Sequence, residues 1–317
     1  MGLCSKVVSV GKGSGYGKVI LFGEHFVVYG LPGIASAVGL ATDAVVTKSG
    51  ALSVKDERKG TEGYSGSKRE QQRESFERMF DMMGLKEKGV DIWLGGELPV
   101  MSGIGASAAS SVAIARAVSD ELKLGYDDAK INSVAYEMEK AFAGNPSGID
   151  NTVATYGGLI WFKKNMAGGQ NDMEKIRVPK PVEIVMGNSG VVADTKAMVA
   201  GVAERRKQQP EEYDAVFKKA EALAVKARAA LEKGDYKTVG ALMDENHSLL
   251  QQIKVSGEKL DELVAIAKQN GAFGAKVTGG GGGGCMVALT PGKELQERVA
   301  SAMEAKGFQV LRTRIGV

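Results

Sequence analysis

Residues 99–109 read P-V-M-S-G-I-G-A-S-A-A, two glycines set between a proline and a helical run of small residues at 106–122. A turn of this kind leads into a helix N-terminus, whose first N–H groups lack partners and carry partial positive charge. With no Cβ in the way, backbone donors converging there form a cradle for a phosphate. Taken alone, the same letters also describe an ordinary tight turn with a small-residue helix behind it. Two carboxylates, Glu139 and Asp150, flank the helix break G-N-P-S-G at 144–148. The break can fold both toward one site, and phosphoryl transfer needs one carboxylate for a metal and one for proton work. Spacing alone fits two unrelated surface acids equally well. Glu24 and His25 form a polar pair between apolar runs, which by itself reads as a surface turn. Thr195 opens a helix after a polar turn and offers a further anion contact. Six consecutive glycines at 279–284 sit between a basic turn and an apolar strand, so they read as backbone brought close to a ligand or to the loop at 99–109 rather than as a linker.

The elements that must hold these groups come from periodicity. Residues 6–10 read as a strand, 11–18 as a glycine-studded turn, and 19–22 as a buried strand. The Gly17-Lys18 pair resembles the end of a Walker A loop, but Lys12 and Val19 stand where that loop needs glycine and a hydroxyl residue. Further strands are expected in 31–54, at 90–94, 157–162, 182–186, 285–289 and 308–312. Helices are expected from 75 to 83 and at 106–122, 127–143, 211–232, 236–252, 259–269 and 294–306, with Ser147 as a cap for a helix after the break. Residues 55–73, charged and nearly without apolar side chains, read as an exposed loop with no assigned role. His247, beside Leu249 and Leu250, reads as a core or cap histidine.

A chain of 317 residues suggests two domains or two lobes around a cleft. With 41 basic and 38 acidic side chains the net charge of +3 gives no reason to expect nucleic acid or a membrane as partner. Cys4 and Cys285, the only two cysteines, support neither a disulfide framework nor a cysteine zinc site, and a reducing compartment fits. The N-terminus lacks the apolar segment of a signal peptide, and Lys6 stands where myristoylation needs Ser or Thr. A cytoplasmic protein is expected, with organellar import left open.

Three separated stretches resemble the GHMP small-molecule kinases: G-K-V-I-L-F-G-E-H-F-V-V-Y-G at 17–30, the 99–109 stretch, and K-V-T-G-G-G-G-G-G-C at 276–285. Galactokinases share the general plan and the Gly-Glu-His. G-N-P-S-G-I-D-N at 144–151, D-T-K-A-M-V at 194–199 and M-D-E-N-H-S-L-L at 243–250 point to the mevalonate branch. The resemblance implies a two-lobed α+β fold, an N-terminal lobe like domain 2 of ribosomal protein S5 (1–185) and a ferredoxin-like C-terminal lobe (186–317). It implies ATP- and Mg²⁺-dependent phosphorylation of the mevalonate 5-hydroxyl, as a step toward isoprenoids, with another GHMP kinase (phosphomevalonate kinase, galactokinase) or a silent metabolite sensor as alternatives. By the same resemblance Asp150 is the catalytic base and Lys18 its cationic partner, in contact with both substrates. Met101, Ser102, Gly103, Ile104, Gly105, Ala106 and Ser107 wrap the ATP phosphates, and Ser107 and Glu139 hold Mg²⁺. Glu24, His25 and Thr195, with Lys18 and Asp150, line the mevalonate pocket. Relatives of this kind are often homodimers. Two departures stand out: Ala106-Ser107 where the family often has two serines, and Gly280 where it commonly has alanine.

Overall fold

The computed structural model describes residues 10–60, 66, 68–85, 89–101, 103–192 and 194–317. Strands β1 (Gly11–Phe22), β2 (Gly33–Lys48), β3 (Ser53–Asp56), β4 (Val90–Gly96), β5 (Leu159–Lys163) and β6 (Asp172–Lys175) build one sheet in the order β3-β4-β2-β5-β6, with β1 paired to β2. Helices α1 (Arg69–Met82), α2 (Ala106–Glu121), α3 (Asp128–Ala143) and α4 (Ile149–Tyr156) belong to this lobe. The second sheet holds β7 (Val182–Asn188), β8 (Gly274–Val277), β9 (Cys285–Leu289) and β10 (Gln309–Ile315) in the order β10-β7-β9-β8, every pair antiparallel. That is the ferredoxin-like arrangement, its first crossover enlarged to α5 (Thr195–Gln208), α6 (Pro210–Lys233), α7 (Tyr236–Gln252) and α8 (Glu258–Gln269), its second being α9 (Lys293–Glu304). All of β7 pairs in the second sheet, so a division at 185/186 would cut that strand.

The glycine-rich segment 11–18 is strand, not turn: β1 pairs with β2 from Gly11 onward. Gly11, Gly13 and Gly15 alternate onto one face, where a Cβ would lie 2.1, 2.2 and 2.2 Å from the carbonyl oxygens of Ala117, Ala113 and Ala109 of α2. Two strand residues advance about 6.7 Å and four helix residues about 6 Å, so the glycine row and the alanine row run in step. The missing Cβ atoms let α2 press its backbone onto β1. Of the strand expected at 6–10, residues 6–9 lie outside the described residues. The 55–73 segment is also not wholly a loop. It contains the end of β3, α1 begins at Arg69 rather than near 75, and the Arg58 side chain is only 3% exposed. Arg58 donates to both oxygens of Asp56 at 2.9 and 2.6 Å and to the hydroxyls of Thr42 and Ser110 at 2.8 and 2.9 Å. Charge composition cannot reveal a guanidinium folded back under a sheet edge.

One hydrophobic core runs through both lobes, from Val19, Leu21 and Phe22 of β1 to Phe217, Met243 and Val287 of the second lobe, and a separate cluster fills the space under α1, α2 and α3. Across the junction, the Thr278 hydroxyl accepts from the Ile20 N–H at 3.0 Å and donates to the Ile20 carbonyl at 3.1 Å. Gly39 N–H donates to the Thr313 hydroxyl at 3.1 Å. Among the described residues no helix is long and apolar enough to cross a membrane.

Candidate active site

Lys18 comes from the buried half of β1, where its N–H donates to the Ile104 carbonyl at 2.9 Å. The glycine at 105 has φ +71, and a Cβ there would lie 2.6 Å from Lys18 Cγ. Only glycine lets the loop lie across the lysine's aliphatic stem. The ammonium emerges 2.9 Å from Asp150 Oδ1, the lysine side chain 3% exposed and the aspartate 39%. Asp150 is the second residue of α4, in the first turn, where the helix dipole favours a carboxylate. The N-cap of α4 is Gly148; Ser147, expected as the cap, accepts the Ile149 N–H at 3.3 Å from one residue farther back. Both α2 and α4 begin at a left-handed glycine that brings no capping side chain of its own, which leaves helix-start amides other than that of Ile149 for a ligand.

Glu139, in the last turn of α3, is held from α2. Ser107 Oγ donates to Oε2 at 3.0 Å and Ser111 Oγ to Oε1 at 3.2 Å. Burial first, and then the nearby charge of Asp150, push the Glu139 carboxyl up to about 8, against the pull of the two serine hydroxyls and Lys18. Lys18 pairs with Asp150, and Glu139 has no ion pair of its own among the described residues. Hydroxyl and carboxylate oxygens are hard donors, and Mg²⁺ takes one or two carboxylates while completing its shell from phosphates and water, so these residues fit that ion.

His25 has a left-handed backbone at φ +62. Its Nε2 lies 2.8 Å from the Gly280 carbonyl, so Nε2 carries the proton and Nδ1 is a buried acceptor with no protein partner. Burial, outweighing that bond and assisted by Arg205, lowers the imidazole to about 4, so it is neutral near pH 7. Glu24 reaches the cleft wall, but its carboxylate is occupied. Lys276 Nζ pairs with Oε1, Asn246 Nδ2 donates to Oε2 at 3.3 Å, and neither charged side chain has any exposed surface. Thr195 is the first residue of α5, with Asp194 as its cap. A Cβ on Gly280 would stand 2.9 to 3.2 Å from the Thr195 side chain, which accounts for the glycine where alanine is common.

These residues line one open cleft. Lys18, Glu24, His25, Met101, Gly103, Gly105, Ala106, Ser107, Glu139, Asp150 and Thr195 all reach it. Ile104 turns its side chain into the core, and Ser102 lies outside the described residues. The glycine run meets the anion loop: a Cβ on Gly103 would be 2.9 Å from the Cys285 nitrogen, and one on Gly279 3.2 Å from Gly103 Cα. A second cavity adjoins the cleft and shares Ala106, Ser107, Phe142 and Lys68 with it.

Residues 72–158 match the GHMP kinases N terminal domain and 227–309 the GHMP kinases C terminal domain. The mevalonate kinase of Pyrococcus abyssi is 36% identical, over 94% of this chain and 93% of that protein. That of Thermococcus sibiricus is 34% identical over 94% of each. The crystal structure of L. major mevalonate kinase in complex with R-mevalonate superposes with a TM-score of 0.90 at 34% identity, over 99% of this chain and 98% of that one. The chain belongs to the GHMP kinase family. In this GHMP kinase the residues that sequence reasoning left without a role are Ser111, Asn246, Lys276 and Arg58. Ser111 was findable, four residues after Ser107 on the same helix face. Asn246, Lys276 and Arg58 act across lobes or sheet edges, for which spacing along the chain carries no signal.

Proposed function

We propose that this chain transfers the γ-phosphoryl group of ATP to the 5-hydroxyl of (R)-mevalonate, releasing ADP and 5-phosphomevalonate. The observation that carries the reading is the 2.9 Å contact between Lys18 of β1 and Asp150 at the start of α4, in the cleft that the start of α2 also lines. The alcohol lies against Asp150, which accepts its proton as the oxygen bonds to phosphorus and the bond to the ADP oxygen breaks. Lys18 holds the hydroxyl oxygen and the moving phosphoryl with a fixed positive charge, and the amides of 103–107 bear on the phosphates, the preorganised electrostatics that a loose phosphoryl transition state needs. Ser107 and Glu139 would hold Mg²⁺, which would neutralise charge on the phosphate oxygens. His25, as a neutral imidazole, and Thr195 shape the acceptor end, while Glu24 acts from behind through Lys276. We place the division between the lobes at 177–181, after Ile176 has donated to Leu159 of the first sheet and before β7.

The test is ADP release with ATP and mevalonate, and with galactose and phosphomevalonate as competing acceptors. Mevalonate is expected to give the highest kcat/KM. Asp150→Asn is expected to lower kcat by about 10²–10⁴ with the melting temperature nearly unchanged. Full activity in that variant, or nucleotide binding without any ADP release in the unaltered protein, overturns the reading.

A further inference from the structure

The cleft and the cavity beside it share Ala106, Ser107, Phe142 and Lys68 in their linings. On the reading above, the acceptor alcohol and the γ-phosphate occupy the cleft, beside Lys18 and Asp150. The neighbouring cavity has the chemistry of a nucleoside site: apolar walls from Val54, Phe76, Ile114 and Met138, with Gln72, Ser75 and Asp56 as polar groups. A nucleotide laid across the two must carry its phosphates past these shared residues.

Two cations line that outer cavity. Arg58 is not free to bind a ligand strongly, because its guanidinium already serves Asp56, Thr42 and Ser110. Lys68 differs. It is half-buried, sits just ahead of α1 with its carbonyl taking the Gln72 N–H at 2.9 Å, and pairs with no acidic side chain among the described residues. A lysine that lines both the cleft and the cavity, together with Ala106 and Ser107 of α2, and that has no acidic partner among the described residues, has one obvious counter-charge in a kinase: the bridging part of the polyphosphate. We infer that Lys68 is a nucleotide-binding residue that contacts the phosphate chain between nucleoside and γ-phosphate, and so sets affinity for ATP and ADP independently of the Lys18–Asp150 pair. Its attraction acts on donor and product alike, so it raises binding without selectively stabilising the transition state. The inference rests on ATP being the phosphoryl donor.

The experiment measures binding of ATP, ADP and adenosine by calorimetry, and steady-state rates, for the unaltered protein, Lys68→Met and Lys68→Arg. A lost charge-assisted contact weakens ATP and ADP about tenfold or more in Lys68→Met, with adenosine affinity and KM for mevalonate unchanged and kcat within about twofold. Lys68→Arg restores most of the affinity, and the weakening in Lys68→Met shrinks as salt rises. ATP affinity in Lys68→Met within twofold of the unaltered protein overturns the inference. So does an equal loss for adenosine, which would mean that the cavity itself had been distorted. The two readings separate cleanly: absence of ADP release with mevalonate in the unaltered protein sinks the proposed reaction, whereas the nucleotide affinities judge Lys68 alone.

Discussion

At the scale of single residues, the site carries groups whose chemistry works against folding. Glu139 is a carboxyl raised from the usual range to about 8, chiefly by burial. Its unfolded counterpart ionises near 4.5, so below that pH both states are protonated and the group costs nothing. Between 4.5 and 8 the folded state keeps a proton that the unfolded chain has released, and stability falls as pH rises through that window. Glu139→Gln removes this slope. Thermal melts should show the variant more stable than the unaltered protein by a few degrees at pH 8.5 and little different at pH 4.5, while turnover drops by about 10² or more. Equal melting temperatures at both pH values would contradict it. His25 has the opposite sign, a base lowered from 6.5 to about 4 by burial. Its contribution is complete above 6.5 and is lost as pH falls toward 4, because only the unfolded imidazole takes up a proton there. In urea titrations at pH 7 and pH 5, the loss of midpoint on acidification should be smaller for His25→Gln than for the unaltered protein. An identical loss would show that the imidazole is not held neutral.

At the scale of elements, the decisive feature is the fit of α2 on β1. Gly11, Gly13 and Gly15 against Ala117, Ala113 and Ala109 fix the helix close to the strand, and this sets the anion loop over Lys18. Because the atom opposing a Cβ at position 13 is a backbone carbonyl 2.2 Å away, no side chain can yield. Gly13→Ala should therefore cost about 3 kcal/mol in denaturant unfolding and weaken ATP binding with it. Gly39→Ala is the control, since its Cβ would meet only the Thr313 hydroxyl at 3.7 Å, and it should be nearly neutral. Comparable costs for the two would refute the packing argument. The same segment shows what a sequence can disclose. The helices at 106–121 and 236–252 and the strand after the glycine run are legible because apolar periodicity and punctuation agree there. Glycines at 11, 13 and 15 speak locally for a turn, and only a helix nearly a hundred residues later makes them strand. The motifs of Lys18, Ser107, Glu139 and Asp150 lead to expecting them at one site, and all four reach one cleft; the bonds of Arg58 to Thr42 and Ser110 are not legible, because neither partner is near it in the chain.

At the scale of the whole molecule, the candidate cleft lies along a junction where the two lobes share a core and a buried ion pair. Glu24 follows β1 in the first lobe and Lys276 belongs to β8 in the second, so the pair is a tie between them. Burial lowers the Lys276 ammonium, opposed by the Glu24 carboxylate that faces it. Removing one member strands the other: Lys276→Met leaves a buried carboxylate with only Asn246, at an expected cost of about 3–5 kcal/mol. Glu24→Gln with Lys276→Met removes both charges and should recover much of that loss. Both tryptophans, Trp93 of β4 and Trp161 of β5, lie in the first lobe, whereas α5 to α9, in the second, dominate the helical circular dichroism. If the shared core makes the lobes one cooperative unit, fluorescence and circular dichroism unfold at the same urea concentration, and Lys276→Met shifts both midpoints together although the substitution is in the second lobe. A shift confined to the dichroism, with the tryptophan transition unmoved, would mean that the lobes fold independently and that the cleft is assembled by docking rather than by a common core.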